Sequence, residues 1–519
     1  MQLTPNRRII LNIVATYGRS LLSLVCGLFT GRWVLQALGQ TDFGLYGVVG
    51  GLTIFISFFN TLLAGAISRF FAFSVGAAQV AKDEVEGLEE CRRWFSIAVA
   101  VHTIVPILLT GIGYPIGVWV VRNFLRIPVE RVETCIWVFR YVCLSSFVAM
   151  VNVPFAAMYT AKQNIAELTV YSMVQTLANV CFLYYLVMHQ GDWLNTYALG
   201  TCIIAIVPQL CICMRACCKF RECRFVVKYC IDIKRVAKLA NYSMWQVFGS
   251  LGGLAQGQGM AVLVNKFFGA KVNAAMSISN QVSSQTASIS NALLGAFSPA
   301  IINAYGARKY DVARVMSYRA CKFGLLLLLL FALPLSLELR KVVQIWLITP
   351  PANTVLLCMT AIASCLIRVA TTGHMIAVNA NGRVALYQFS VGTSLIMSIP
   401  IGWVLVKYGL GVWGIAVAIL VSSMCCSIGR VCFARYLVGL SFVHWLRRIV
   451  LPVLAVALIT GLAGVTIRYF MEESFLRIVI TTIICEVVFL PLAWFVALEC
   501  DERDFVKTRV RTVLNKVVR

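Results

Sequence analysis

Apolar residues run through this chain in stretches of about twenty, separated by short polar segments; this is the length a helix needs to cross a hydrocarbon core of ~30 Å. Fourteen such stretches can be set out, at 10–35, 44–70, 94–121, 135–159, 168–188, 194–214, 242–266, 277–302, 320–340, 353–378, 386–406, 411–433, 449–468 and 476–498. Within lipid a segment must satisfy its own backbone, so helices are the elements to expect. The pattern predicts an all-α integral membrane protein with about 14 transmembrane helices. The connections are short, and the external ones, under about 20 residues, are too small to fold as a soluble domain.

Polar positions inside the stretches follow the helical period. Asn12, Thr16, Arg19 and Ser23 are spaced i, i+4, i+7, i+11 and share a face of the first helix. Ser364, Arg368 and Thr371 do the same in the tenth. In the eighth, eleven of the fifteen residues from Ser277 to Asn291 are Ser, Thr, Asn or Gln. Asn280, Ser284 and Asn291 align there, with Gln281, Gln285 and Ser288 beside them. Gln246, Gln256 and Gln258 in the seventh stretch and Ser57, Asn60 and Thr61 in the second add to this set. Such stripes cannot face lipid. Helix–helix hydrogen bonds, at ~0.6 kcal/mol each, account for some of them; eleven positions exceed one contact and predict a wet cavity suited to sugar hydroxyls.

Charge sharpens the picture. Hydrophobic residues make up 60% of the 519 and charged ones 13%, with a formal net charge of +24. With the N-terminus inside, most lysines and arginines fall in cytoplasmic segments, few in external ones and few deep within spans. That bias predicts cytoplasmic termini by the positive-inside rule. Charges confined to short loops argue against nucleic acid as a partner. Arg19, Arg32, Arg69, Arg140 and Arg368 lie inside spans, and Arg430 lies close enough to an end to snorkel. Of 21 acidic residues only Glu486 is well inside a span, with Glu338 near the end of another. Uncompensated buried charge costs several kcal/mol, so water or a visiting anion is expected. The guanidinium fork suits phosphate oxygens. Carbonyls or headgroups would equally satisfy Arg32 and Arg69, near the interfaces.

The chain divides into an N-terminal lobe (1–214), a basic cytoplasmic linker (215–240), a C-terminal lobe (241–435), two further helices (436–498) and a basic tail (499–519). A shift of 230 positions aligns Gly39, Gly65, Ala66, Ser68, Gly76 and Ala77 with Gly269, Gly295, Ala296, Ser298, Gly306 and Ala307. The reading is two six-helix lobes related by a parallel pseudo-repeat, plus two C-terminal helices. No cleavable signal peptide is expected, since the first apolar stretch is too long and too often interrupted. Most of the 20 cysteines lie in spans, where they act as small apolar residues. Cys217, Cys218, Cys223 and Cys230 in the basic segment lack paired CxxC spacing, so no metal site is expected. The acidic run Asp83–Glu90 reads as a solvated face. Four scattered histidines give no catalytic motif, and neither an enzyme activity nor a cofactor is expected.

The stretch GRWVLQALGQTDFGLYGVVGGL at 31–52, with its LGxxDFGLYG element at Leu38–Gly47, and LLAGAISRFF at 62–71 resemble the polysaccharide flippases (Wzx type) of the multidrug/oligosaccharidyl-lipid/polysaccharide (MOP) exporter superfamily. The resemblance implies alternating-access transfer of a polyprenyl-pyrophosphate-linked oligosaccharide across the bacterial inner membrane, for lipopolysaccharide or capsule. It implies membrane lipids as surroundings, and the polymerase and glycosyltransferases of the same pathway as partners. On that reading Arg19, Arg140, Arg368 and Arg69 hold the pyrophosphate, while Asn12, Asn60, Asn280, Ser284, Gln285 and Asn291 line the sugar path. The alternatives are a peptidoglycan-precursor (lipid II) flippase, a multidrug exporter of the same superfamily, and a membrane-embedded polysaccharide polymerase or ligase. A drug exporter would want acidic residues in its lobes, and a polymerase a sizeable external loop.

Overall fold

The structure, a computed structural model, describes residues 5–504 apart from 81–83, 124, 126, 190 and 348–349. Among these it is helical almost throughout, with no strand. Among the described residues nine helices are long and apolar enough to span a membrane, or ten if one bent pair counts as a span. This is a multi-pass membrane protein. One of the nine, Ala385–Val438, turns at Gly409 and Gly411, both at positive φ, and packs back on itself as a hairpin. The stretches expected at 10–35, 44–70 and 277–302 are helical, apart from a turn at Leu52–Thr53, but fall outside the apolar set.

The chain forms two compact units. The first comprises Met1–Ser243 and Ile302–Lys309. Its helices are α1 (Pro5–Gly51), α2 (Ile54–Ala78), α3 (Glu84–Asn123), α4 (Val132–Ala161), α5 (Ile165–Met188) and α6 (Leu194–Lys219). α1 lies along α5, and α4 is gripped by α2, α3 and α6. One core joins Val34, Val121, Ile136, Leu186 and Leu194 from five helices. The basic segment 215–240 folds against this unit through ion pairs. Arg235 reaches Glu90 at 2.7 Å, Lys162 reaches Glu222 at 2.6 Å, and Lys219 pairs with Glu167. The Tyr229 hydroxyl donates to Glu89 at 2.7 Å, beside the Arg93–Glu89 pair at 2.9 Å. Asp232 accepts the Arg235 backbone N–H, which holds its carboxyl below the usual range. So the solvated face expected at Asp83–Glu90 is, at Glu89 and Glu90, a docking edge for the basic segment. Unpaired acids next to eight basic residues would be the more costly arrangement.

The second unit comprises Met244–Ile301 and Tyr310–Arg519. α7 (Ile233–Leu254) enters it and passes through a widened turn, Ala255–Gly259, into α8 (Met260–Gly306). There follow α9 (Tyr310–Leu337), α10 (Leu339–Leu347), α11 (Thr354–Val369), α12 (Thr372–Asn381), α13 (Ala385–Ile396), α14 (Ser398–Leu405), α15 (Gly411–Val438), α16 (Phe442–Trp445), α17 (Leu451–Phe470) and α18 (Phe475–Leu492). α15 packs on α11 to α14, while α9 carries α11, α12, α17 and α18. Glu338, at the end of α9, is not an unpaired acid. Arg477 of α18 meets it at 2.8 Å, and Thr481 donates to its other oxygen at 3.2 Å. Lys322 likewise pairs with Glu502 at 2.8 Å, both buried.

α1 and α8 are each 47 residues long and each is kinked at one glycine, Gly39 (φ 73°) and Gly269 (φ 75°). An L side chain at that φ would clash with its own backbone, so glycine is required. The offset of 230 that aligns the two in sequence thus aligns their backbone conformation as well.

Candidate functional site

The eighth stretch sorts its polar residues by face. Ser277, Gln281, Ser284, Gln285 and Ser288 are exposed along one side of α8, and Ala275, Met276, Ser279, Thr286 and Ser290 are buried on the other. On the buried side Ser279 donates to the Leu357 carbonyl of α11 at 3.0 Å, and Thr286 bonds back to Val282 at 2.7 Å. On the exposed side the Ser284 and Ser288 hydroxyls turn onto the Gln281 and Gln285 carbonyls, at 3.0 and 2.6 Å. An intrahelical bond uses a hydroxyl's donor and leaves its lone pairs open. The Gln281 and Gln285 amides extend from the same face. Five amide and hydroxyl side chains on the exposed side of a helix in a membrane protein require water rather than hydrocarbon around them. Asn280 is half-buried at the edge of this face. The Asn291 side chain lies outside the described residues, as does that of Arg32.

A second polar centre lies inside the same unit, where α11 and α12 meet at a 45° bend. Arg368, half-buried in the last turn of α11, donates to Gln256 Oε1 at 3.1 Å. Gln256 stands in the widened turn before α8 and donates its own N–H to Ser422 of α15 at 2.6 Å. Widened turns of this kind re-aim one residue within a helix. Where α11 breaks, the Arg368 carbonyl accepts only the tight-turn N–H of Thr371, at 3.2 Å, and keeps room for side-chain donors. Thr371 and Thr372 hydroxyls donate to it, both at 3.1 Å, and Arg430 Nη1 donates at 3.2 Å. Ser364 and Ser423 hydroxyls meet at 2.7 Å one turn away. Among the described residues no carboxylate lies within ion-pair distance of Arg368 or Arg430.

The first unit holds the remaining expected residues, each in a different setting. Asn12 is 1% exposed; it donates to the Gln163 carbonyl and accepts the Ala166 N–H, both at 2.9 Å. Its amide ties α1 to the α4–α5 turn, which removes it from a sugar-lining face. Arg69 is also buried, with its guanidinium over the rings of Phe70, Tyr242 and Phe73 at 4.7, 5.1 and 5.4 Å. That enclosure serves packing, since cation–π contacts of this kind are worth ~2 kcal/mol when desolvated. Arg140 is exposed; its Nε donates to the Tyr114 hydroxyl at 2.6 Å and its guanidinium lies 4.4 Å from the Trp137 ring. Trp137 and Leu144 are exposed on the same face, a mix of aromatic, apolar and cationic side chains of the kind found at membrane–water interfaces. Arg19 is half-buried in α1, and among the described residues it has no ion-pair partner. Asn60 is half-buried in α2, with a buried Oδ1 that has no hydrogen-bond partner.

The structure therefore gathers Ser284, Gln285 and the edge residue Asn280 on one surface and sets Arg368 apart in an interior network. Gln256, Ser422 and Arg430 as partners of Arg368 are not evident from spacing alone. The only sequence trace of them is the serine cluster Ser422, Ser423 and Ser427 in the stretch that also carries Arg430.

The family model described as MatE matches residues 257–344, a segment that holds the whole of α8 and α9. No curated protein matches the chain. Among solved structures, MATE in the bent conformation is 13% identical, with 84% of this chain and 98% of that one covered at a TM-score of 0.67. An outward-facing multidrug resistance MATE family transporter of the MOP superfamily is 15% identical, covering 84% and 96%, at 0.64. A MOP superfamily transporter from Pyrococcus furiosus, whose binding pocket of reverse polarity suggests a different function, is 15% identical, covering 84% and 96%, at 0.62. At these identities the likeness establishes the fold: this chain has the fold of the MATE transporters.

Proposed function

We propose that this chain is an alternating-access transporter, not an enzyme. Its cargo on this reading is an amphiphile with a hydroxyl-rich, anionic head, a polyprenyl-pyrophosphate-linked oligosaccharide. The observation that carries the reading is the exposed row of Ser277, Gln281, Ser284, Gln285 and Ser288 on α8. Uncharged donors and acceptors replace the hydration of sugar hydroxyls at little cost, and they would give an organic cation no countercharge. The charge balance supports the same reading. Glu338 and Glu502 are consumed by Arg477 and Lys322, while Arg19 and Arg140 keep guanidinium groups free of carboxylates among the described residues. Arg19 and Arg140 are the first candidates for the pyrophosphate, and Arg368 and Arg69 act through the packing of their own units. The direction of transport, from cytoplasmic to outer leaflet of a bacterial inner membrane with both termini inside, follows the distribution of basic residues.

The test is translocation in proteoliposomes of a fluorescent polyprenyl-pyrophosphate oligosaccharide, run beside ethidium as a cationic drug. Transport of the glycolipid and not of ethidium supports the reading. The reverse result makes the chain a multidrug exporter, in keeping with the multidrug transporter whose fold it shares.

A further inference from the structure

Arg368 and Arg430 place two cationic groups in the interior of the second unit, and Arg430 is only 9% exposed. Three features show that their charge is not answered by the protein. Among the described residues no carboxylate pairs with either group. Arg430 spends Nη1 on the Arg368 carbonyl at 3.2 Å and hydrogen-bonds with the Tyr387 hydroxyl, yet its Nε is buried with no partner. His374, on α12 and within electrostatic range of Arg430, is 1% exposed. Its Nδ1 faces the Cys321 sulfur at 3.4 Å, while its Nε2 is buried with no partner. If the thiol donates to Nδ1, the neutral imidazole carries its proton on Nε2. Two unanswered N–H groups are then carried by α15 and α12, helices that pack on each other. The positive end of α12, which begins at Thr372, adds to the same field.

Orphaned buried donors and uncompensated cations are each costly, and one anion removes both penalties. We propose that this interior region binds a small inorganic anion of halide size, held by Arg430 Nε, with His374 Nε2–H as second donor and Arg368 as the flanking charge. A phosphoryl group brings several oxygens that these two donors cannot satisfy, so chloride or bromide is the class that fits. The site is distinct from the exposed row on α8, and does not depend on what the protein transports.

The experiment uses the purified full-length protein in gluconate at constant ionic strength. It follows the melting temperature and the ³⁵Cl NMR line width as chloride is added. Wild type is expected to show a saturable rise in melting temperature and a saturable line broadening that bromide competes away and phosphate or pyrophosphate does not. Arg430→Gln is expected to lose both saturable responses, and His374→Phe to weaken them severalfold. Arg122→Gln, at an exposed arginine, leaves them unchanged. The line-width titration of wild type decides the matter even if the Arg430 variant fails to fold: no saturable chloride response overturns the proposal. Competition by pyrophosphate overturns it too, by making the region part of the cargo site.

Discussion

Gly76 and Gly306 stand 230 residues apart in sequence and each lies against the backbone of the other's helix. A methyl group added at Gly76 would land on the Asn303 carbonyl, and one added at Gly306 would land on the Phe73 carbonyl. The two contacted residues, Phe73 and Asn303, are themselves 230 apart, so one offset relates both halves of the crossing. Backbone cannot yield as a flexible side chain can. Gly76→Ala and Gly306→Ala should therefore each cost about 1–3 kcal/mol, the range of overpacked sites. A thermal melt followed by loss of the monodisperse chromatographic peak checks this. Gly65→Ala, where an added methyl meets nothing, should melt with wild type.

That crossing shows what the sequence reveals and what it conceals. The apolar stretches announce the helices, because hydrocarbon thickness fixes their length. The offset of 230 is legible because backbone constraints at Gly39, Gly269, Gly76 and Gly306 admit only glycine, which leaves a trace in the letters. The roles of the arginines leave no such trace. Phe70 and Phe73 are near Arg69 in sequence, but no spacing shows that Tyr242, distant along the chain, closes over it, while Arg19 stays half-buried with no ion-pair partner among the described residues. Asn12 reads as part of a polar stripe, yet its partners are backbone groups at 163 and 166. Exposure on α8 is equally invisible: eleven polar residues look alike until packing against α11 decides which face is buried.

Glu338 and Arg477 form the most enclosed ion pair of the second unit, with side-chain exposures of 1% and 6%. Removing one partner strands the other charge in a low-dielectric interior, which costs about 3–5 kcal/mol. Glu338→Ala or Arg477→Ala should therefore lower the melting temperature sharply. The double replacement Glu338→Leu with Arg477→Met should recover most of the loss, since no charge then remains buried. A double variant as unstable as either single one would mean the pair is needed for its geometry rather than its neutrality.

The cysteines near the end of α6 should separate by reactivity. Cys217 and Cys218 are exposed, whereas Cys223 is 4% exposed and burial pushes its thiol well above the ordinary range. Thiolate is the reactive form, so maleimide near neutral pH should modify Cys217 and Cys218 and spare Cys223 until the protein unfolds. Peptide mass mapping before and after denaturation gives the order directly. Early modification of Cys223 would place the 220–232 segment in an open state rather than docked on α3.

The exposed row on α8 makes the sharpest functional prediction. Ser284 and Gln285 project from the open face of α8, so replacing them removes no interior packing, and surface changes of this kind usually stay within about 0.5 kcal/mol of wild type. Ser284→Leu with Gln285→Leu should therefore leave folding and abundance intact. If these side chains meet cargo hydroxyls, two or more hydrogen bonds are lost at about 1 kcal/mol each, and glycolipid transfer should fall roughly tenfold or more. Ser284→Thr with Gln285→Asn keeps the donors and acceptors and should restore much of the rate. The buried pair Ser279 and Thr286 provides the contrast. Ser279→Leu should lower the melting temperature through its lost bond to Leu357, whether or not transport changes. Normal transport by the Ser284→Leu, Gln285→Leu variant would take the α8 face out of the cargo path and leave Arg19 and Arg140 to carry recognition alone.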